Sequence, residues 1–166
     1  MNYWSNTIMC ARIPVETCVL SALFPMCQYG HNVQKFKLTN NEISPSWIPY
    51  TFGYFGSYVI GGLLFILYAN IFATFGNLSL NPDIINTFGN VGGSICLGAY
   101  AGKFRTELRE KYNIEGSQFT DCIIHSVMSP CALCQEAEEI EIRHNENNFY
   151  GNGIMQAPYI PVMTKE

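Results

Sequence analysis

Tyr58-Val-Ile-Gly-Gly-Leu-Leu-Phe-Ile-Leu-Tyr-Ala-Asn-Ile-Phe-Ala-Thr-Phe75 contains no charged side chain and sits within a longer uncharged stretch from Ile43 to Pro82. A bilayer core of about 30 Å is crossed by roughly 20 apolar residues in a helix. Extended back to Phe52, the run exceeds that length. Trp47, Tyr50 and Tyr54 precede it, where an aromatic interfacial belt would lie. The competing reading is a core helix of a soluble protein, but a small domain has little interior in which to hide a helix apolar on every side. The expectation is therefore a helix that crosses a membrane.

A second uncharged stretch runs from Ile84 to Gly102, diluted by Asn86, Asn90 and several glycines. Gly89, Gly93 and Gly98 belong to a set of small residues that includes four-residue spacings, and such spacing lets another helix approach closely in lipid. This stretch reads equally well as a second spanning arm or as a glycine-rich re-entrant segment. Two arms would make an apolar hairpin. Arg12, Lys35 and Lys37 precede it and Lys103, Arg105, Arg109 and Lys111 follow it, whereas the connection from Gly76 to Asp83 has no Lys or Arg. By the positive-inside rule both termini are expected on the cytosolic or equivalent side, with the identity of the membrane left open. Asn77-Leu78-Ser79 in the connection is a formal glycosylation sequon, too close to the expected membrane surface to carry weight.

The 166 residues suffice for one domain. Charged residues make up 13% of the chain, about half the usual share. The net charge of -4 comes with no basic stripe, so nucleic acid is not an expected partner. Seven cysteines, at 10, 18, 27, 96, 122, 131 and 134, are an odd number, which argues against full disulfide pairing within the chain. Met1 to Cys10 lacks the basic start and apolar run of a secretory signal. Reduced, cytosol-facing thiols are the expectation.

The fold class read from this pattern is mainly α: a small membrane-embedded helical protein with one apolar hairpin, 52–75 and 84–102, and short amphipathic cytosolic helices. Lys103 to Tyr112 places Phe104, Leu108 and Tyr112 on one helical face, and Asn113 and Gly116 should end that helix. Thr120 is the expected cap of a short helix ending before Pro130. Ser129-Pro130 then opens a last helix with an apolar face of Leu133, Ala137 and Ile140 and an acidic one. A single cysteine-rich domain over 1–144 and an irregular tail over 145–166 complete the organisation.

The densest chemistry-bearing cluster is Asp121-Cys122-Ile-Ile-His125 followed by Pro130-Cys131-Ala-Leu-Cys134. Residues three apart share a helical face, and thiolates are favoured at a helix start. Cys122, His125, Cys131 and Cys134 could thus close a tetrahedral structural zinc site. They read equally as small buried thiols beside a core histidine. A redox Cys-x-x-Cys would need a strand before it in a thioredoxin-like pattern, which this chain lacks. No spacing links Ser, His and acid for catalysis, and no catalytic residues are expected. His31 and His144 stand alone, most simply facing solvent.

Two blocks resemble the placenta-specific-eight, or cysteine-rich domain, family, which includes plant cadmium-resistance proteins, plant cell-number and fruit-weight regulators, and cornifelin. The C-terminal block carries Cys96-Leu97, Phe104-Arg-Thr-Glu-Leu-Arg109, Asp121-Cys122-Ile-Ile-His125 and Pro130-Cys-Ala-Leu-Cys-Gln-Glu136 in the family's order. The N-terminal block is looser: Trp4, Cys10, Thr17-Cys18, Pro25 and Gly30. Phe24 and Met26 stand where the family's Cys-Pro-Cys has its cysteines, and Val127-Met128 where many members have a Cys-Cys pair. The resemblance implies metal handling in its cadmium-resistance branch, and the eroded signature weakens that implication for this chain. The function expected is that of a non-catalytic structural or assembly subunit in a membrane complex, with the bilayer and other membrane proteins or further copies of itself as partners. The alternatives are divalent zinc or cadmium handling, for which Asn70, Asn86, Asn90 and Cys96 would be the ligands along the arms, and a thiol redox role.

Overall fold

The computed structural model describes Trp4 and residues 15–39, 46–76 and 78–151, with the backbone alone for Val15, Thr39 and 146–151. Cys10, Arg12, Asn77 of the sequon and the tail beyond Gly151 lie outside the described residues. Within them the chain is helical: α1 Val15–Leu23, α2 Pro25–Thr39, α3 Ile48–Phe75, α4 Pro82–Lys111 and α5 Gln118–Gly151.

The uncharged run forms α3, which starts at Ile48 with Pro49 in its first turn and ends at Gly76. It is the one helix among the described residues long and apolar enough to cross a bilayer. The second stretch does not form a helix of its own. It fuses with the expected amphipathic helix into the 30 residues of α4. Asn86, Asn90, the glycines and the charged last third keep α4 below the apolarity a crossing demands. The two helices nevertheless pack as an antiparallel pair joined by a short connection, because glycines remove the side chains that would hold them apart. A Cβ on Gly61 would lie 2.8 Å from the Gly92 carbonyl oxygen, and one on Gly93 would lie 2.8 Å from that of Tyr58.

The other helices gather at the end of this pair where α3 begins and α4 finishes. Tyr29, Val33 and Phe36 of α2, Tyr54 of α3, Ala101, Phe104 and Leu108 of α4, and Leu133 and Ile140 of α5 form the core of this head. The Tyr29 ring lies 5.0 Å from that of Tyr54 and 5.7 Å from that of Phe104. Burial in this cluster pushes the Tyr29 phenol well above its ordinary range. Past Tyr54, by contrast, only Gly61 and Ala69 are buried on α3. His31, although exposed, stacks on Trp47 with centroids 4.9 Å apart.

Asn113 takes a left-handed φ of 52° and Gly116 a φ of 149°, so α4 ends where the sequence indicates. The cap of α5 is Ser117 rather than Thr120: the Ser117 hydroxyl accepts from the Thr120 N–H at 3.2 Å. Two helices, as expected around Pro130, are joined at a non-helical Met128 (φ -129°, ψ 42°) into one element. Its second half carries on through Asn145 to Gly151.

On the head's surface Lys35 donates to Glu141. That hydrogen bond holds the Glu141 carboxyl below its ordinary range. A lowered folded-state value means the contribution is present above the ordinary carboxylate range and fades as pH falls through the folded value. Both side chains are largely exposed, so solvent screens the pair. Glu141→Gln should lower stability by under about 1 kcal/mol near neutral pH, and the gap from the native chain should close below about pH 4. Thermal unfolding in mild detergent across that range checks it.

A candidate functional site of buried charges

Arg105 and Arg109 lie one turn apart on α4, and Asp121 and His125 lie one turn apart on the first half of α5. These faces meet in the head. Arg105 Nε is 3.4 Å from Asp121 Oδ1, and Arg109 Nε is 3.1 Å from Asp121 Oδ2. Thr106 Oγ1 also donates to Asp121 Oδ2 at 2.9 Å. The second half of α5 supplies the rest. Arg105 Nη2 donates to Gln135 Oε1 at 2.5 Å, and Arg105 Nη1 lies 3.3 Å from Glu136 Oε1. His125 Nε2 is 2.7 Å from the same Glu136 oxygen. In a straight helix His125 and Glu136 would be about 16 Å apart along the axis. The break at Met128, where Pro130 offers no N–H, folds the chain back so that they touch.

The network reaches α3. His125 Nδ1 lies 3.4 Å from Ser129 Oγ, which is 2.5 Å from the Tyr54 hydroxyl on α3. With Glu136 as a carboxylate, His125 donates from Nε2. In the neutral ring Nδ1 then accepts from Ser129, and Tyr54 donates to Ser129. Trp4 closes the outer side, with the Arg105 guanidinium 4.0 Å from its ring centre. Arg105, Asp121, His125 and Glu136 are each at most 3% exposed. Two guanidinium groups thus face two carboxylates, a balance that buried charges require. Among the described residues Glu136 Oε2 has no hydrogen-bond partner.

The sequence pattern pointed to Cys122, His125, Cys131 and Cys134 as a metal set, and the structure distributes them differently. Cys122 packs against Gly102. Both His125 nitrogens face Ser129 and Glu136. The buried Cys134 Sγ lies 3.8 Å from the Thr17 carbonyl oxygen, and Cys131 is partly buried in the turn after the kink. Among the described residues no three His, Cys, Asp or Glu side chains group as a metal ion would need. The donors in this arrangement do not fit a tetrahedral zinc. Of the proposed set, His125 alone belongs to the polar network. Arg105, Arg109, Asp121, Gln135 and Glu136 stood in the sequence reading as flanking charges or motif residues, not as members of one site. The readable signal was a basic pair and an acid–histidine pair, each four residues apart, flanking one short turn.

Ser129, His125 and Glu136 stand in hydrogen-bond line, an order the sequence spacing concealed. The Ser129 hydroxyl is held between Tyr54 and His125 rather than directed at open space. The arrangement can lock two helical layers in one geometry, and it ties α3 to the head.

The residues of this network fall within the stretch recognised by comparison with known proteins. The PLAC8 family model matches residues 4–139. Cell number regulator 8 of Zea mays is 27% identical, with 87% of this chain and 61% of the relative covered. Protein PLANT CADMIUM RESISTANCE 8 of Arabidopsis thaliana is 36% identical over 53 residues, covering 32% of this chain and 28% of the relative. Cornifelin of Mus musculus is 39% identical over 70 residues, covering 42% and 63% respectively. The chain thus spans less than two thirds of each relative's length in these matches. No solved structure matches it. With the family model covering most of its length, from Trp4 through the α5 network, the chain belongs to the PLAC8 family.

Proposed function

We propose that this chain is a non-catalytic membrane protein that inserts its helical pair into a bilayer and presents the cysteine-bearing head to other membrane proteins or to further copies of itself. The observation that carries the reading is the outer surface of α3, where Phe52, Ile60, Leu63, Leu67, Ile71 and Phe75 are all exposed. Monomeric soluble proteins rarely show so large a contiguous apolar surface to water. Gly89, Gly92 and Gly93 of α4 lie against α3 while Gly98 and Gly102 lie against α5, so α4 enters as the partner of a spanning helix rather than as an equal arm. Lys35, Lys37, Lys103 and Lys111 lie at the head end, and the opposite connection has no Lys or Arg, which supports a cytosolic head. The buried ionic network supports a scaffold role, since it fixes the head's geometry without leaving its hydroxyl and imidazole groups open.

The name of the Arabidopsis relative favours cation handling as a second reading. The geometry of the arms adds nothing to it. Asn70 donates to the Ile66 carbonyl at 2.8 Å, Asn90 accepts from Tyr58 at 3.1 Å, and Cys96 packs on Gly61.

Alkaline carbonate extraction tests the insertion. The native chain should remain in the membrane pellet. Leu64→Arg with Leu67→Arg, both at exposed α3 positions, should release it, since each Arg at a helix centre opposes insertion by about 2.5–3.5 kcal/mol. Release of the native chain would overturn the reading.

A further inference from the structure

The base of the head, where the hairpin emerges, carries two apolar tips. One is the corner between α1 and α2, where Leu20, Leu23 and Phe24 are 51%, 66% and 51% exposed. The other is the break in α5, where Val127 is 75% exposed. Both sit on the hairpin side. Along α2, Tyr29 meets Tyr54 and Tyr100, whereas Phe36 meets Phe104 and Tyr112. The helix therefore leads away from the hairpin, and Phe24, just before its start, lies at the near end. The first half of α5 runs the other way. Asp121 pairs with Arg109, Ser126 occupies the space beside Gly98, and Ser129 reaches Tyr54. Val127 is therefore at the bottom of that descent.

Charge is sorted along the same axis. From Thr17 to Gln34, and again from Cys122 to Gln135, there is no Asp, Glu, Lys or Arg. The Lys35–Glu141 pair and the Arg143–Glu139 pair belong to the far part of the head. Phe24, Met26, Val127 and Met128, the positions at which this chain replaces cysteines of the family pattern, all fall at the base.

We propose that these two tips dip into the lipid interface, so that the head sits down on the bilayer around the hairpin instead of standing off it. The proposal rests on the inserted hairpin described above. An uncharged rim near the level of Tyr54, which meets Ser129 and Tyr29 and beside which α3 exposes Phe52 and Phe55, is what a lipid surface recognises, and interfacial elements bury their apolar side about 5–10 Å deep. A protein partner of ordinary composition would find no charge on the rim to pair with. Phe119 supplies an internal ruler. It is as exposed as Val127 and eight residues before it, about 12 Å further from the membrane along α5.

The test is photocrosslinking of the full chain in phosphatidylcholine vesicles with radiolabelled acyl chains, using p-benzoyl-phenylalanine placed singly at Leu67, Leu23, Val127 or Phe119. All four side chains are exposed, so the replacements leave the packing intact. Lipid label on Leu67, Leu23 and Val127, with little on Phe119, is the expected result. Label on Leu67 alone would overturn the seated head and leave the inserted hairpin standing. Crosslinks from Leu23 and Val127 to a second polypeptide would overturn it in favour of a protein interface. An unlabelled Leu67 would remove the hairpin reading and this inference together.

Discussion

Arg105→Met is expected to destabilise the head by about 3–5 kcal/mol, the loss seen when one partner of a buried ion pair is removed and its counter-charges remain. Arg105 stands between Asp121, Gln135 and Glu136 and against Trp4, almost wholly out of water. Methionine keeps much of the volume but leaves two carboxylates near each other with only Arg109 and His125 for company. Arg105→Lys should recover little, because a single ammonium cannot serve three acceptors in a planar fork or stack on Trp4 in the same way. The discriminating variant adds Asp121→Asn and Glu136→Gln to Arg105→Met. Removing the stranded charges should restore a large part of the loss. Thermal unfolding in mild detergent reads all three. A triple variant no more stable than the single one would show that the arginine acts through packing and hydrogen bonds rather than charge.

The helical class, the long apolar α3, the end of α4 at Asn113 and Gly116, and the break before Pro130 were all legible in the sequence, because each is fixed by local chemistry: an uncharged run, a left-handed residue, a missing N–H. The fusion of 84–102 with 103–111 was not. Nothing local marks a boundary between Gly102 and Lys103 or its absence, and only the packing of both halves, on α3 and on α5, decides it. The network was hidden for a related reason. A Cys-His-Cys-Cys spacing draws attention to ligands, but spacing along the chain says nothing about what faces His125 once the helix folds back at Met128. That reversal sets Glu136 against the imidazole and brings it to Arg105, which already faces Asp121. The motif was visible as letters; in this chain it holds an ionic clasp as well as thiols.

Gly102→Val is expected to spread the head by forcing α4 from α5. A Cβ on Gly102 would lie 2.8 Å from the Cys122 Cα and 2.9 Å from its backbone nitrogen. These are main-chain atoms of a packed helix, so no rotamer change relieves the contact. Overpacking of this kind costs about 1–3 kcal/mol. The loss here should fall at the upper end, because Arg105 is one turn along α4 and Asp121 adjoins Cys122, so the ion pairs are stretched by the same displacement. Gly56 provides the control: a Cβ there meets nothing within 4 Å, and in a helix the change from glycine even favours the folded state. Gly56→Ala should be neutral or slightly stabilising, and Gly102→Ala already harmful, with valine worse. The same unfolding assay measures both. If Gly102→Val unfolds with the native chain, α5 has room to move away, and the buried clasp is looser than the contact between these two helices implies.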